Sequence, residues 1–112
     1  MTFNVNLEMT DHIAQITLVG ELDANATPAF REKINEAAAK NVKCLVLHMD
    51  QLTYMASAGL RVLIFAKQRM GRHAQLYLIG TQDTVKETLE LTGFHYSLTM
   101  LDEYDIDHLD CA

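Results

Sequence analysis

The chain has 112 residues, enough for one domain with a hydrophobic core, and its 15 acidic against 9 basic residues give a formal charge of −6. A chain this acidic lacks the basic patch that nucleic acids and anionic membranes require, so we expect neither as a partner. No apolar run approaches the length of a membrane span, residues 1–12 lack the pattern of a secretion signal, and two cysteines do not make a disulfide framework. We therefore expect residues 1–112 to form a single domain of a reduced, cytoplasmic protein without direct membrane insertion.

The first predicted elements are two strands. Phe3, Val5 and Leu7 alternate with polar residues, and residues 13–19 form a second strand-like run. Because residues 9–12 are short and contain Thr-Asp as turn residues, the two strands are predicted to form a hairpin. A loop over residues 20–25 follows.

A helix and a buried strand come next. Thr27 is predicted as the helix cap, with Pro28 at the first helical position. Helical spacing gives this helix one buried face, formed by Phe30, Ile34, Ala37 and Ala38. Residues 42–49 are apolar on both faces, which is typical of a central parallel strand.

The stretch from Leu52 to Met70 is predicted to turn from a strand-to-helix loop, ending Ala56-Ser57-Ala58-Gly59, into a second helix. At 100° per residue, the core side of this helix is formed by Leu60, Val62, Leu63, Ala66 and Met70. The opposite side presents Arg61, Gln68 and Arg69, with Phe65 projecting among them. Phe65 is a stray surface residue, a residue that packs under a loop, or an anchor for a protein partner.

The remaining chain continues the alternation. Residues 76–79 are predicted as a strand, Thr81 as the cap of a helix that runs to Thr92 with Gly93 as its stop, and residues 97–101 as a last strand. The third helix would turn Val85 and Leu89 inward, and a final short helix would be capped by Asp102 and contain Ile106 and Leu109. The order β-β-α-β-α-β-α-β-α predicts an α/β fold, a mixed sheet with helices packed on it.

Ser57 is the side chain at which function is expected. A helix start offers unpaired N–H groups and the positive end of the helix dipole, so it suits a hydroxyl that becomes phosphorylated. The simpler structural role is a helix N-cap. Gly59, two residues on, is interpreted as a site of close approach or of room for a partner.

Three segments, in order along nearly the whole chain, resemble the STAS domain family of sulfate transporters and anti-sigma-factor antagonists. Ala56-Ser57-Ala58-Gly59-Leu60 resembles the family signature Asp-Ser-Ser/Thr-Gly-Leu, residues 20–28 resemble its Gly-x-Leu-Asp turn, and residues 85–98 resemble its third helix. The resemblance implies a STAS fold and makes Ser57 the phosphorylated residue. Ala56 replaces the common Asp, and Ala58 removes the second hydroxyl.

The resemblance implies a non-enzymatic switch, an anti-sigma-factor antagonist in a partner-switching pathway. Its unphosphorylated form would bind an anti-sigma factor that is also a serine kinase of the histidine-kinase-like ATPase type. Phosphorylation of Ser57 would release that partner, and a PP2C-like serine phosphatase would reset the switch. The partner surface would comprise Asp23, Ala56, Ser57, Ala58, Gly59, Arg61 and Phe65, although Asp23 is also a plausible turn residue.

Two other functions stay open from the sequence. One is a STAS subunit of a membrane transport system that binds a transporter ATPase, and the other is a small-molecule or nucleotide-binding STAS module. No catalytic residue, cofactor or metal is expected, because the chain has no Gly-rich phosphate loop and its five His and two Cys form no His-x-x-x-His or Cys-x-x-Cys arrangement.

Overall fold

The computed structural model describes residues 3–70 and 74–103. Within these residues the chain forms five strands and three α-helices, in the order β1 (Phe3–Thr10), β2 (Ile13–Leu22), α1 (Thr27–Ala38), β3 (Cys44–Met55), α2 (Ser57–Met70), β4 (Gln75–Ile79), α3 (Asp83–Thr92) and β5 (Thr99–Leu101). A short 3-10 helix, Phe94–Ser97, precedes β5. The predicted final helix lies outside the described residues.

The strands form one mixed sheet in the order β1-β2-β3-β4-β5. β1 and β2 pair antiparallel as the predicted hairpin, turning at Asp11 with a left-handed φ of 53°. β2, β3, β4 and β5 are parallel to one another, because helices connect them. The predicted fold class and element order are therefore confirmed for the described residues.

All three helices pack on one face of the sheet, where they enclose the main hydrophobic core. Alternate residues of the strands point into it, and its largest fully buried side chains are Phe30, Ile16, Leu18, Leu22, Ile34, Leu45, Leu47, Met49, Leu52, Leu63, Leu78 and Leu89. The opposite face of the sheet has a smaller apolar cluster, formed by Ile13, Cys44, Val46, Tyr77 and Ile79. Both faces of β3 and β4 are thus buried, as the predicted parallel strands require.

Several predicted boundaries are wrong by one or two residues. Helix α1 starts at Thr27 with Ala26 as its N-cap, and α3 starts at Asp83 with Gln82 as its N-cap, so neither Thr27 nor Thr81 is a cap. The predicted stop at Gly93 is confirmed by its left-handed φ of 74°. The predicted last strand, 97–101, is shortened because its first residue belongs to the 3-10 helix.

The largest difference is the length of β3. The strand was expected to end near residue 49 but runs to Met55, because it pairs with β2 as far as Leu22 opposite Met55. Its pairing with β4 ends at His48 opposite Ile79, so residues 49–55 extend beyond β4.

The start of α3 is hydrogen-bonded to this β3 extension. Gln82 Nε2 donates to the Asp50 carbonyl over 2.8 Å, and Thr84 Oγ1 donates to the Thr53 carbonyl over 3.3 Å.

Cys44 is fully buried in the smaller cluster. The other cysteine of the sequence, Cys111, lies outside the described residues.

Candidate functional site

The loops that follow β2, β3 and β4 open at one edge of the sheet, because parallel strands end on the same side. Asp23 follows β2, and Ser57 begins α2 two residues after the end of β3. The backbone N–H of Ala56 donates to the Leu22 carbonyl over 2.9 Å, which joins the two loops directly beside Ser57. The structure therefore brings Asp23 and the 56–59 segment together.

Ser57 is the first residue of α2, not its N-cap. The carbonyl of Ala56 accepts the N–H of Gly59 over 2.9 Å and of Leu60 over 3.2 Å, so the cap position belongs to Ala56. The N-cap interpretation of Ser57 is thus wrong by one residue, because the Leu22 contact fixes the backbone at Ala56.

The Ser57 side chain is exposed, and its hydroxyl makes no hydrogen bond to any described residue. Ser57 is therefore an accessible hydroxyl in the first turn of a 14-residue helix. The first turn of a helix leaves its N–H groups unpaired and has a positive dipole end, so an anionic group on this hydroxyl would be stabilised there.

Gly59 is buried, and its role is close packing. A Cβ atom at this position would lie 2.8 Å from Leu22 Cδ2 and 2.8 Å from Met55 Cγ. Of the two predicted roles, the structure supports close approach of α2 to the ends of β2 and β3. Gly59 itself contributes no side chain to the outer surface.

Asp23 acts as a turn residue. Its Oδ1 accepts the backbone N–H of Ala26 over 3.0 Å, immediately before α1. This bond holds the half-buried Asp23 side chain in the turn before α1. The turn role is confirmed, and a contact with a partner stays a prediction.

The predicted faces of α2 are correct for the core and need adjustment for Phe65. Leu60, Val62, Leu63, Ala66 and Met70 are buried, and Arg61 is exposed. Phe65 is only half-buried, since it packs against the edge of the core and the guanidinium carbon of Arg31 lies 4.6 Å from its ring centroid. Its ring is therefore shared between the fold and the surface through a cation–π contact.

Tyr54 is a further exposed residue near Ser57. Tyr54 lies at the end of β3, three residues before Ser57, and is 50% exposed. An exposed aromatic residue next to the candidate site is typical of a protein interface.

The described residues contain no group of three or more His, Cys, Asp and Glu side chains that could hold a metal ion. An open cleft of about 420 Å³ at the start of α3 is lined by Thr81, Gln82, Asp83 and Thr84. Among the described lining residues Asp83 is charged, and its carboxylate would oppose an anionic ligand there. Among the described helices, none is long and apolar enough to cross a membrane.

His48 is a titratable group with a clear pKa shift, and it lies outside this surface. Burial lowers its pKa from 6.5, while the carboxylates of Asp50 and Glu8 act in the opposite direction. Its Nε2 lies 2.9 Å from Gln15 Oε1 on the neighbouring strand. His48 is therefore a structural histidine of the sheet.

The fold and the site define a small α/β domain with an exposed serine hydroxyl at a strand-to-helix junction. The chain matches the STAS domain family over residues 4–105. Because the match spans almost the whole chain, the protein belongs to the STAS domain family.

Similar proteins are named as anti-sigma factor antagonists. The anti-sigma-B factor antagonist of Listeria monocytogenes is 33% identical over 95 residues, covering 80% of this chain and 82% of the relative. The anti-sigma-F factor antagonist RsfB of Mycobacterium tuberculosis is 23% identical over 92 residues, covering 80% and 75%.

The fold is also similar to that of the anti-sigma factor antagonist SpoIIAA. Its unphosphorylated form has a TM-score of 0.76 and 24% identity, with 96% of each chain covered. The phosphorylated form of the Bacillus protein has a TM-score of 0.72 and 21% identity, covering 93% and 94%. SpoIIAA has thus been solved in both states.

Proposed function

We propose that this protein is an anti-sigma-factor antagonist controlled by phosphorylation of Ser57. The unphosphorylated form binds an anti-sigma factor that is also a serine kinase of the histidine-kinase-like ATPase type, and the phosphorylated form releases it. The observation on which the proposal depends is the exposed, unbonded Ser57 hydroxyl in the first turn of α2. Membership of the family and the names of the similar proteins support it.

Two other hydroxyls near the loop are poorer acceptors. Thr53 Oγ1 donates to the Gly20 carbonyl over 3.1 Å, and the Oγ1 of Thr81 is buried. Ala58 removes the neighbouring hydroxyl of the family signature. Ser57 is therefore the single acceptor that we propose in this region.

In the transfer step, Ser57 Oγ forms a bond to the γ-phosphorus of ATP while the bond to the β,γ-bridging oxygen breaks. ADP leaves with that electron pair, and the hydroxyl proton passes to a base of the kinase or to water. The antagonist supplies the acceptor and no catalytic group. Hydrolysis of the phosphoserine by a PP2C-like phosphatase would return the hydroxyl.

The added phosphate carries about −1.5 to −2 charges at pH 7. Inside an interface that fits a neutral hydroxyl, this charge would lose its water without gaining a partner, which costs binding free energy. Because about 1.4 kcal/mol changes affinity tenfold, a loss of a few kcal/mol is sufficient for release.

We place the partner surface around Ser57, with Asp23 and Ala56 on one side and Ala58, Arg61 and Phe65 on the other. Ser57 and Arg61 are exposed, and the other four residues of this surface are half-buried. A partner can therefore contact all six. Gly59 supports this surface from below. Sigma factors act in the cytoplasm, so we place the antagonist there too.

The test compares Ser57→Ala with Ser57→Asp. Neither should unfold the domain, because Ala56 and not Ser57 is the cap, and an acid in the first turn gains about 0.3–1 kcal/mol from the helix dipole. Ser57→Ala should bind the purified kinase and accept no phosphate, whereas Ser57→Asp should bind at least tenfold more weakly.

Calorimetric titration of each variant with the kinase measures binding, and a melting curve checks the fold. Intact mass after incubation with kinase and ATP should rise by one phosphate for the wild type and by none for Ser57→Ala. Equal affinity of the two variants, or a phosphate on the Ser57→Ala protein, would refute the proposal.

A further inference from the structure

Arg61 lies one helical turn after Ser57 on the same side of α2. Side chains four residues apart on a helix have Cβ atoms about 5–6 Å apart, so they are direct neighbours. Both side chains are exposed. The Arg61 guanidinium can therefore reach a group on the Ser57 oxygen without any movement of the backbone.

Arg61 is not engaged by another charge in the part of the chain that the structure describes. The ion pair found there joins Lys33 and Glu36 of α1 at 3.3 Å, and no carboxylate lies within 4.0 Å of the Arg61 guanidinium. Arg31 of α1 is instead placed over the Phe65 ring. Arg61 thus faces the Ser57 side of the helix as an unneutralised cation.

We propose that, once Ser57 is phosphorylated, Arg61 of the same helix binds the phosphate oxygens and is thereby withdrawn from the partner surface. The inference rests on the proposed function in one respect, that Ser57 is the acceptor. The planar guanidinium donates two parallel N–H···O bonds to a phosphate, a geometry that lysine lacks. The N–H groups of the first turn and the helix dipole act on the same phosphate from the other side.

This pairing changes the partner surface in two ways at once. The interface gains a negative group at residue 57 and loses the cationic donor at residue 61. Any acidic group of the partner that contacts Arg61 in the unphosphorylated complex then faces an Arg61–phosphate pair with a net charge of about −0.5 to −1. Release is therefore stronger than the phosphate alone would produce.

The pairing is tested on protein that carries phosphoserine at position 57, introduced during protein synthesis so that no kinase is needed. Phosphorus NMR measures the second ionisation of the phosphate, whose ordinary pKa is about 6. A cation beside the phosphate favours its doubly charged form and lowers this pKa. Arg61→Gln should therefore raise the pKa by about 0.15–0.4 units, the size expected for a neighbouring pair on a helix.

Two further variants separate charge, geometry and distance. Arg61→Lys should restore part of the shift, since it keeps the charge without the planar fork. Arg69→Gln removes another exposed arginine of the same helix. Because residue 69 lies about 18 Å along the helix from Ser57, this variant should leave the phosphate pKa unchanged. In 1 M salt the difference between wild type and Arg61→Gln should shrink, because an exposed ion pair is screened.

Equal phosphate pKa values in the wild type and Arg61→Gln would overturn the inference, as would an equal rise in Arg69→Gln. Because the phosphoserine is built in, this result does not depend on whether any kinase modifies Ser57. Failure of the proposed function would appear instead as an absence of transfer or release in the kinase titration.

Discussion

Gly59→Ala tests how tightly the start of α2 is held against the sheet. The new Cβ atom would lie 2.8 Å from Leu22 Cδ2, 2.8 Å from Met55 Cγ and 3.0 Å from Leu22 Cγ. Leu22 is 0% exposed and Met55 is 4% exposed, so neither side chain can turn into solvent. Overpacking of this kind costs about 1–3 kcal/mol, and alanine recovers up to about 1 kcal/mol through its higher helix propensity.

The net loss of unfolding free energy should be about 1–2 kcal/mol, which lowers Tm by roughly 5–10 °C in a domain of this size. Urea denaturation followed by circular dichroism measures it. Ala58→Gly at the neighbouring half-buried position is the matched control, because it reports the propensity difference between glycine and alanine in the same turn without a clash. Unchanged or increased stability of Gly59→Ala would show that the close approach does not limit this position.

Four further variants test the core and the sheet. Leu63→Ala, at a fully buried position, should cost about 2–5 kcal/mol of unfolding free energy. Phe65→Ala should cost about 1–2 kcal/mol, because its ring is only half-buried beneath Arg31. Equal losses in the two variants would mean that Phe65 is a core residue. Phe65→Leu should keep most of this stability, so a loss of kinase affinity in that variant would identify the ring as a partner contact. Burial lowers the pKa of His48 from 6.5, so below pH 6.5 the unfolded state binds more protons than the folded state. Acidification to about pH 5 should therefore lower the Tm of the wild type more than the Tm of His48→Gln. Parallel pH profiles of Tm would contradict this assignment.

The element order was predictable because each strand and helix has its own hydrophobic period and clear glycine stops. The helix starts were not, because they depend on contacts between distant segments. Ala56 is held by the Leu22 carbonyl, and the Gln82 side chain donates to the Asp50 carbonyl instead of capping α3. Local preference favoured Ser57 and Thr81 at these positions, and tertiary hydrogen bonds moved each start by one residue.

In the candidate site, too, features set by the local sequence were predictable and features set by contacts with distant segments were not. The position of Ser57 at the start of a helix followed from the sequence to within one residue. The partial burial of Phe65 did not, because Arg31 covers it from another helix. The exposure of Tyr54 depends on β3 extending beyond β4. The full length of β3 was not predicted, because the polar residues in its middle interrupt the apolar pattern of the strand.

Two contacts fix the start of α2, and both lie on the inner side of Ser57. They are the hydrogen bond from Ala56 to Leu22 and the packing of Gly59 against Leu22 and Met55. A phosphoryl group on the exposed Ser57 oxygen would displace neither of them, so the backbone of the domain should be the same in both states. The proposed switch then requires no backbone rearrangement in the antagonist. Its free energy comes from the charge presented to the partner, and a difference of about 3 kcal/mol at that surface would change affinity roughly a hundredfold.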